Sequence, residues 1–438
     1  MNNNLEDVKY QISKGAEVNG GSSFFEGWTA FHIAAKNGKI EVMKYMISQG
    51  AEVNREDNNA RTALHSAVQN DQLEVTKYLI SEGAEVNKGD KDGWTALHSA
   101  ASSGHVDVTK YLISEGAEVN KGDKDGSTAL HSAAHKGQFD VIKYLISEGA
   151  EVNKGRDDDR AALHSAASSG HIDVTKYLIS EGAEVNKGGI YGLTALHSAA
   201  GNGHVNVTKF LISEGAEVNK GRDDDRTALH SAASSGHVDV TKYLISEGAE
   251  VNKGDKDGST ALHSAASSGH VDVTKYLISE GAEVNKGGKS GWTALHCAAS
   301  SGHVDVTKYL ISEGAEVNKG DKDGAEVNKG VKDGWTALHS AAGNGHIDVT
   351  KYLISEGAEV YKGDKDGWTA LHSAAYKGHV DVTKYLISEG AEVYKGDKDG
   401  WTALHSAAVN GHIDVTKYLI SEGAEVNKGG KSGWTAFA

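Results

Sequence analysis

Residues 90–120 read DKDGWTALHSAASSGHVDVTKYLISEGAEVN and contain two short helical patterns separated by a glycine. The first pattern opens at Thr95, a good N-cap residue, and ends at Gly104. The second has Asp107 in its first turn, where it favours the helix dipole, and ends at Gly116. Each helix is short and has only a partial apolar face, so neither is stable alone. The segment therefore predicts a pair of helices that must pack against neighbours.

This segment recurs along the chain with a period of 33 residues. The period rises to 43 once, because GAEVNKGDKD at 314–323 is followed by a near copy at 324–333. Stacking of similar units buries the apolar face that each unit leaves open. The residues that open each copy of the T-A-L-H-S-A-A motif are Thr29, Thr62, Thr95, Thr128, Ala161, Thr194, Thr227, Thr260, Thr293, Thr336, Thr369, Thr402 and Thr435.

The repeats predict one continuous array. Residues 1–20 match the second half of a unit, and their polar side chains suit a cap. Residues 21–433 hold twelve full units, with the ten-residue duplication within 314–333, and residues 434–438 begin a further, truncated repeat. We expect the duplication to lengthen one loop without breaking helix stacking. The sequence does not decide whether it extends or interrupts features that run from unit to unit.

The repeated unit resembles the ankyrin repeat over essentially the whole chain. The resemblance implies an all-α fold, an ankyrin-repeat solenoid of stacked helix-turn-helix units with projecting β-hairpin fingers. It also implies a concave face that carries the fingers and the first helices. Two departures from the family pattern recur. Alanine, as at Ala96, follows the motif threonine, where the family usually has proline. Threonine, as at Thr109, stands in the second helix where the family usually has a second valine. We expect neither to change the fold.

Composition narrows the classes of partner. The 438 residues include no proline, and 45 basic against 61 acidic side chains give a net charge of −16. Such a charge repels phosphate backbones, so we expect no nucleic-acid partner. Cys297 is the single cysteine, which excludes an internal disulfide. With no signal sequence and no long apolar run, we expect no membrane insertion and a monomeric, cytoplasmic protein, with the nucleus as the alternative compartment.

The twenty-two histidines follow the repeat and do not indicate a catalytic site. Twelve are the fourth residue of the T-A-L-H motif, nine follow the mid-repeat glycine, and His135 stands apart. The resemblance implies that the first group hydrogen-bonds neighbouring repeats. His131 and His135 have the spacing of a zinc pair, but no third ligand accompanies them. We expect no enzyme activity, no metal site and no cofactor.

The positions that differ between units are the candidates for partner binding. All seven tryptophans precede a motif threonine, where other units have arginine, serine or leucine. Tyrosine replaces the usual asparagine twice and a helix-end serine once. Tryptophan and tyrosine are typical interface anchors. An equally weighted alternative is that each indole only covers the adjacent turn. The predicted partner-binding residues are Trp94, Trp292, Trp335, Trp368, Trp401, Tyr361, Tyr376 and Tyr394.

These observations predict a protein-binding adaptor or scaffold that holds a protein or peptide on the concave face. Two alternatives stay open. The near-identical units also suit a structural spacer or elastic element, which supplies length more than recognition. The array could also be the repeat region of a larger protein whose effector domain lies beyond residue 438.

Overall fold

The computed structural model describes residues 5–22, 26–321, 334–431 and 435–436. In these residues the chain forms 25 α-helices and one short 3-10 helix, Ile190–Gly192, and has no β-strand. The all-α prediction is therefore confirmed. The β-hairpin fingers are not confirmed, since the described loops hold only three isolated antiparallel bridges, Gly89–Thr95, Gly363–Thr369 and Gly396–Thr402. Trp434, residues 1–4 of the predicted cap and residues 322–333 of the duplicated segment lie outside the described residues.

Apart from α1, short first helices alternate with second helices of nine residues. The first thirteen helices are α1 Leu5–Ser13, α2 Ala30–Lys36, α3 Ile40–Ser48, α4 Ala63–Gln69, α5 Leu73–Ser81, α6 Ala96–Ser103, α7 Val106–Ser114, α8 Ala129–Lys136, α9 Phe139–Ser147, α10 Ala162–Ser168, α11 Ile172–Ser180, α12 Ala195–Gly201 and α13 Val205–Ser213. The other twelve are α14 Ala228–Ser234, α15 Val238–Ser246, α16 Ala261–Ser268, α17 Val271–Ser279, α18 Ala294–Ser301, α19 Val304–Ser312, α20 Ala337–Gly343, α21 Ile347–Ser355, α22 Ala370–Lys377, α23 Val380–Ser388, α24 Ala403–Val409 and α25 Ile413–Ser421. None of the described helices has the length and hydropathy to cross a membrane.

The chain divides into two compact units, Met1–Ala199 with Asn206–Glu217, and Ala200–Val205 with Val218–Ala438. In the first unit, α2, α4, α6, α8 and α10 pack in succession, and α1, α3, α5, α7, α9 and α11 form a parallel succession of second helices. In the second unit, α14, α16, α18, α20, α22 and α24 pack in the same way, beside α15, α17, α19, α21, α23 and α25. Each unit is thus a stack of helix pairs, as the repeat predicts.

The repeated sequence sets where each helix begins and what it buries. Thr95 has extended backbone angles, φ −88° and ψ 170°, and caps α6. Leu97 and Leu112 are at most 2% exposed. Thr109 is fully buried, and its hydroxyl donates to the carbonyl of His105 at 2.8 Å. This bond satisfies the buried hydroxyl, so the threonine departure from the family pattern fits the second helix.

The mid-repeat glycine is required for two reasons, which Gly345 illustrates. Its φ of 77° lies in the left-handed region, which disfavours other residues. A Cβ atom there would also lie 2.6 Å from Nδ1 of His379 in the next repeat. The imidazole of His379 in turn hydrogen-bonds the carbonyl of Gly343 through Nε2 at 3.1 Å. The glycine-histidine pair thus forms a packing contact between repeats.

The ten-residue duplication leaves the helix stack continuous. Helix α18 packs directly on α20, although the segment that joins their repeats is ten residues longer than elsewhere. His296 Nε2 hydrogen-bonds the carbonyl of Trp335 at 3.0 Å, and Asn318 Nδ2 donates to the carbonyl of Gly357 at 2.9 Å. Repeats without the duplication make the same two bonds between residues that are 29 positions apart in the sequence. The helix packing and the hydrogen bonds between neighbouring repeats are therefore continued across the duplication.

Candidate partner-binding groove

A groove of about 480 Å³ lies along the first helices α18, α20 and α22 of the second unit. Three successive repeats contribute to it from four equivalent positions, of which the first repeat uses two. These are the tryptophan before the motif threonine and the residues five, eight and nine positions later, which share one face of the first helix. The lining residues are Trp292, Ser300, Trp335, Ser340, Gly343, Asn344, Trp368, Ser373, Tyr376 and Lys377.

Trp335 is half-buried and is held by polar contacts at both its backbone and its ring. The backbone N–H donates to Oδ1 of Asp321 at 2.8 Å. The indole N–H donates to the hydroxyl of Ser340 at 3.0 Å, and the ring lies 5.2 Å from the imidazole of His339. Trp368 makes the equivalent three contacts. Both indoles are therefore fixed before any partner binds.

The T-A-L-H histidine beneath each groove indole joins its repeat to the next. Nδ1 of His339 accepts the backbone N–H of Thr336 at 3.1 Å, which completes a capping box at the start of α20. Its Nε2, which then carries the proton, donates to the carbonyl of Trp368 at 2.9 Å. Burial lowers the pKa of His339 to about 4, so the ring is neutral at pH 7. This histidine therefore positions the backbone of the next tryptophan.

Trp292 has fewer contacts than the other two groove tryptophans. Gly288 stands where the other two groove repeats have Asp321 and Asp364, which accept the backbone N–H of the tryptophan, and Cys297 stands in the place of the serine. The indole N–H of Trp292 is consequently buried without an acceptor among the described residues. Burial raises the pKa of the Cys297 thiol to about 12, so it is not a reactive thiolate at neutral pH.

The far end of the groove is more exposed. Tyr376 is 44% exposed, and its ring meets that of Trp368 edge-on at 6.0 Å. The ammonium group of Lys377 lies 5.7 Å from the centre of the Tyr376 ring. Lys377 is the one charged residue among the described residues that line the groove, which include no carboxylate. In a chain of net charge −16, this is a locally apolar and weakly positive surface.

The structure brings Trp292, Trp335, Trp368 and Tyr376 together and leaves the other four predicted residues outside the groove. Trp401 is half-buried and lies 5.4 Å from the imidazole of His405. Tyr361 and Tyr394, 59% and 58% exposed, lie in the loops after α21 and α23. Trp94 belongs to the first unit and lines a smaller cavity of about 280 Å³ together with Arg61, His65, Gln69, Asp90, Asp92 and Ser99.

Sequence reasoning missed the groove residues that are not aromatic. Residues 102 and 103 are both serine, whereas the equivalent pairs are Gly343-Asn344 and Tyr376-Lys377 in two of the groove repeats. Counting five, eight and nine residues from each tryptophan, as helical periodicity requires, would have identified this face.

A second missed feature is a column of asparagines that links the loops of neighbouring repeats. Asn285 Nδ2 donates to the carbonyl of Gly314, and Asn285 Oδ1 accepts the N–H of Glu316, both at 2.8 Å. The same pair of bonds recurs in both units. Tyr361 and Tyr394 replace this asparagine, so their repeats have tyrosine at a position that elsewhere stabilises the stack.

The histidine pair with zinc-like spacing makes other contacts. His131 Nε2 hydrogen-bonds the carbonyl of Arg160 at 3.0 Å, and His135 Nδ1 hydrogen-bonds the hydroxyl of Ser169 at 2.8 Å. Within the described ranges, no group of three or more histidine, cysteine, aspartate or glutamate side chains is arranged to hold a metal ion.

Comparison with known proteins matches the chain to two models of one family. The model for three copies of ankyrin repeats matches residues 1–90, 83–156, 118–189, 163–255, 248–321 and 322–397, and the single ankyrin-repeat model matches 399–431. No curated protein matched the chain. Ankyrin repeats are generally protein-interaction modules, and their architecture is typically non-catalytic. These matches cover nearly the whole sequence, and the stacked helix pairs agree with them: the chain belongs to the ankyrin-repeat family.

Proposed function

We propose that this protein is an adaptor or scaffold that holds a protein or peptide partner against the first-helix face of its second unit. The observation that carries the proposal is the groove of about 480 Å³, in which three successive repeats place Trp292, Trp335 and Trp368 side by side. Clustered tryptophan and tyrosine side chains supply most of the binding energy at many interfaces. If each indole instead only covers its own turn, replacing these residues leaves partner binding unchanged.

The rigid placement of the indoles supports binding. Trp335 and Trp368 are already fixed by serine, aspartate and histidine contacts. A partner that packs on them therefore meets side chains that lose little conformational entropy, which is a major cost of association. The equivalent positions of the first unit hold arginine and serine in several repeats, so the aromatic row is specific to part of the array.

The test is to select peptides from a random display library on the full chain and measure their affinity for variants. The double variant Trp335→Ala, Trp368→Ala is expected to weaken binding by about 2 kcal/mol or more. Trp94→Ala is the matched control, since Trp94 makes the same contacts with Ser99 and His98 in the other unit. Selected peptides that bind the double variant and the parent chain equally well would contradict the proposal.

The spacer function remains the second candidate, and the regular bonds between repeats favour it. The histidine and asparagine columns recur through much of each unit with nearly constant geometry, although Tyr361 and Tyr394 interrupt the asparagine column. Such nearest-neighbour contacts suit an array that extends and refolds repeat by repeat. Stretching of single molecules would test it: reversible steps of one repeat each support an elastic role, and irreversible rupture contradicts it.

Composition and family membership support a proposal for the oligomeric state, the compartment and the class of partner. We propose a non-enzymatic, monomeric protein of the cytoplasm, or of the nucleus as the alternative, without nucleic-acid partners, in keeping with the net charge of −16 and the single cysteine. We also propose that the loops between repeats act as fingers that project beside the first helices. Sedimentation of the full chain, with and without added DNA, tests the monomeric state and the absence of nucleic-acid binding.

A further inference from the structure

The groove presents one indole per repeat, and this period restricts the shape of an extended partner. Helices α18, α20 and α22 pack in succession, and a tryptophan precedes the first residue of each helix by two positions. Packed helices lie about 8–10 Å apart. A chain that crosses the three helices therefore meets a new indole about every 8–10 Å, over a total of about 16–20 Å.

Among regular backbone conformations, the polyproline II helix fits this period best. It has three residues per turn and rises about 3.1 Å per residue, so equivalent side chains recur every 9.3 Å or so. In a β-strand they recur about every 6.7 Å. An α-helix repeats every 5.4 Å and is about 10–12 Å wide with its side chains. A polyproline II segment can therefore place an equivalent residue against each indole. The shorter side-chain repeat of a β-strand does not match the spacing of the indoles.

The chemistry of the groove also suits such a segment. Recognition of polyproline II helices generally uses aromatic-lined grooves, because the preformed helix loses little entropy on binding. Its backbone carbonyls form no internal hydrogen bonds. Ser340 accepts the indole proton of Trp335 and is only 3% exposed, so the contact with the segment rests on the aromatic rings.

Charge complementarity adds one further requirement. Lys377 is the one charged side chain on the described lining. A carboxylate at the matching end of the partner would gain this contact, which favours a correct register. These 438 residues contain no proline, so none of them supplies such a segment.

We propose that the groove binds a proline-rich segment of a partner protein in the polyproline II conformation, with an apolar residue at every third position and an acidic residue next to Lys377. This inference rests on the proposed function and specifies the chemical class of its partner. Successive apolar residues of the segment pack between Trp292, Trp335 and Trp368.

The direct experiment is fluorescence anisotropy with the full chain and labelled synthetic peptides. The probe has about four polyproline II turns of Pro-Pro-Leu with one terminal glutamate. One control peptide replaces the prolines with alanine, and another has the same composition with leucine at every second position. We expect the probe to bind about tenfold or more tightly than either control. Equal binding of all three peptides, or no binding of the probe, overturns the inference.

Variants of the chain connect the binding to the groove. Trp335→Ala and Trp368→Ala are expected to weaken probe binding by about tenfold or more, and Trp94→Ala to leave it unchanged. Trp335→Phe retains an aromatic ring and a folded repeat, so an intermediate affinity supports direct packing. Lys377→Gln should remove the preference for the peptide with glutamate over its glutamine analogue. Probe binding that is unchanged in Trp335→Ala and Trp368→Ala overturns the inference.

The display selection described above separates failure of this inference from failure of the proposed function. Peptides without proline that bind in a manner dependent on Trp335 and Trp368 would overturn the polyproline II inference and leave the adaptor function supported. A selection that yields no peptide dependent on these tryptophans, together with no probe binding, would overturn both.

Discussion

The buried indole N–H of Trp292 has no acceptor among the described residues, because Cys297 occupies the position from which serine accepts this proton in neighbouring repeats. Ser340 accepts it from Trp335 and Ser373 from Trp368, each at 3.0 Å. The serine-to-cysteine difference thus removes the indole hydrogen bond from the first tryptophan of the groove.

Cys297→Ser should restore this hydrogen bond and stabilise the repeat by about 1 kcal/mol, the usual net value of such a bond. Hydrogen exchange of the amides in Ala294–Ser301 measures the local change. Cys297→Ala, which removes the thiol without adding an acceptor, is the control. Equal protection in the serine and alanine variants would show that the hydroxyl does not reach the indole.

Proline at the first position of a first helix should stabilise the array. Ala96, Ala261 and Ala370 each begin a helix, and the threonine before each has the extended conformation that precedes proline readily. Substitution by proline restricts the unfolded chain and should add about 0.4–1 kcal/mol at each site.

Thermal unfolding of the three alanine-to-proline variants measures this gain. Ala100→Pro, which places the ring inside α6, should instead cost about 3 kcal/mol and serves as the control. A lower melting temperature for Ala96→Pro would contradict the helix start at this residue.

Acid should destabilise the protein through its buried histidines. Burial lowers the pKa of His131, His296 and His339 from 6.5 to about 4. Above pH 6.5 both folded and unfolded chains carry these rings neutral, so their stabilisation is fully present. As the pH falls, the unfolded chain binds protons first, and each such histidine lowers stability by about 2 kcal/mol at pH 5.

Urea unfolding between pH 7 and pH 4.5 tests this dependence. His339→Gln keeps a side chain that can complete the capping box but does not titrate, so its stability should fall less steeply than that of the parent chain. Carboxylates contribute equally to both proteins, and the difference between the two slopes reports the histidine. Identical slopes would argue against a depressed pKa at this position.

The asparagine column predicts that Tyr394→Asn stabilises the end of the second unit. Asparagine at this position can reach the carbonyl of Gly423 and the N–H of Glu425, which occupy the places that Gly314 and Glu316 take opposite Asn285. Two added bonds should contribute about 1–2 kcal/mol.

Denaturant unfolding and hydrogen exchange of the last repeats measure the effect of Tyr394→Asn. The reciprocal change, Asn285→Tyr, should remove two bonds and destabilise its repeat by a similar amount. If Tyr394→Asn instead lowers stability, the exposed tyrosine contributes packing that outweighs the asparagine bonds.

The helices and their order were predictable from the sequence because one short pattern is repeated. Thr95, Leu97, Gly104 and Leu112 specify caps, core and helix ends through local physics, and stacking of the copies supplies the rest. The candidate positions were also visible, since the tryptophans are a prominent difference between units. The loop hairpins were not confirmed, because the described loops pair only at three isolated bridges, one of which flanks Asp90.

The sequence by itself determined the family, the period and the aromatic positions, because these depend on residues close together in the chain. Only the tertiary structure decided that Trp292, Trp335, Trp368 and Tyr376 share a groove while Tyr361 and Tyr394 lie in other loops. Residues at equivalent positions of successive repeats come together only when neighbouring helices pack. The ten extra residues between Trp292 and Trp335 break the regular spacing, so the sequence did not show that these two tryptophans are neighbours. The unpaired indole of Trp292 likewise results from packing, since burial turns the serine-to-cysteine difference into a missing hydrogen bond.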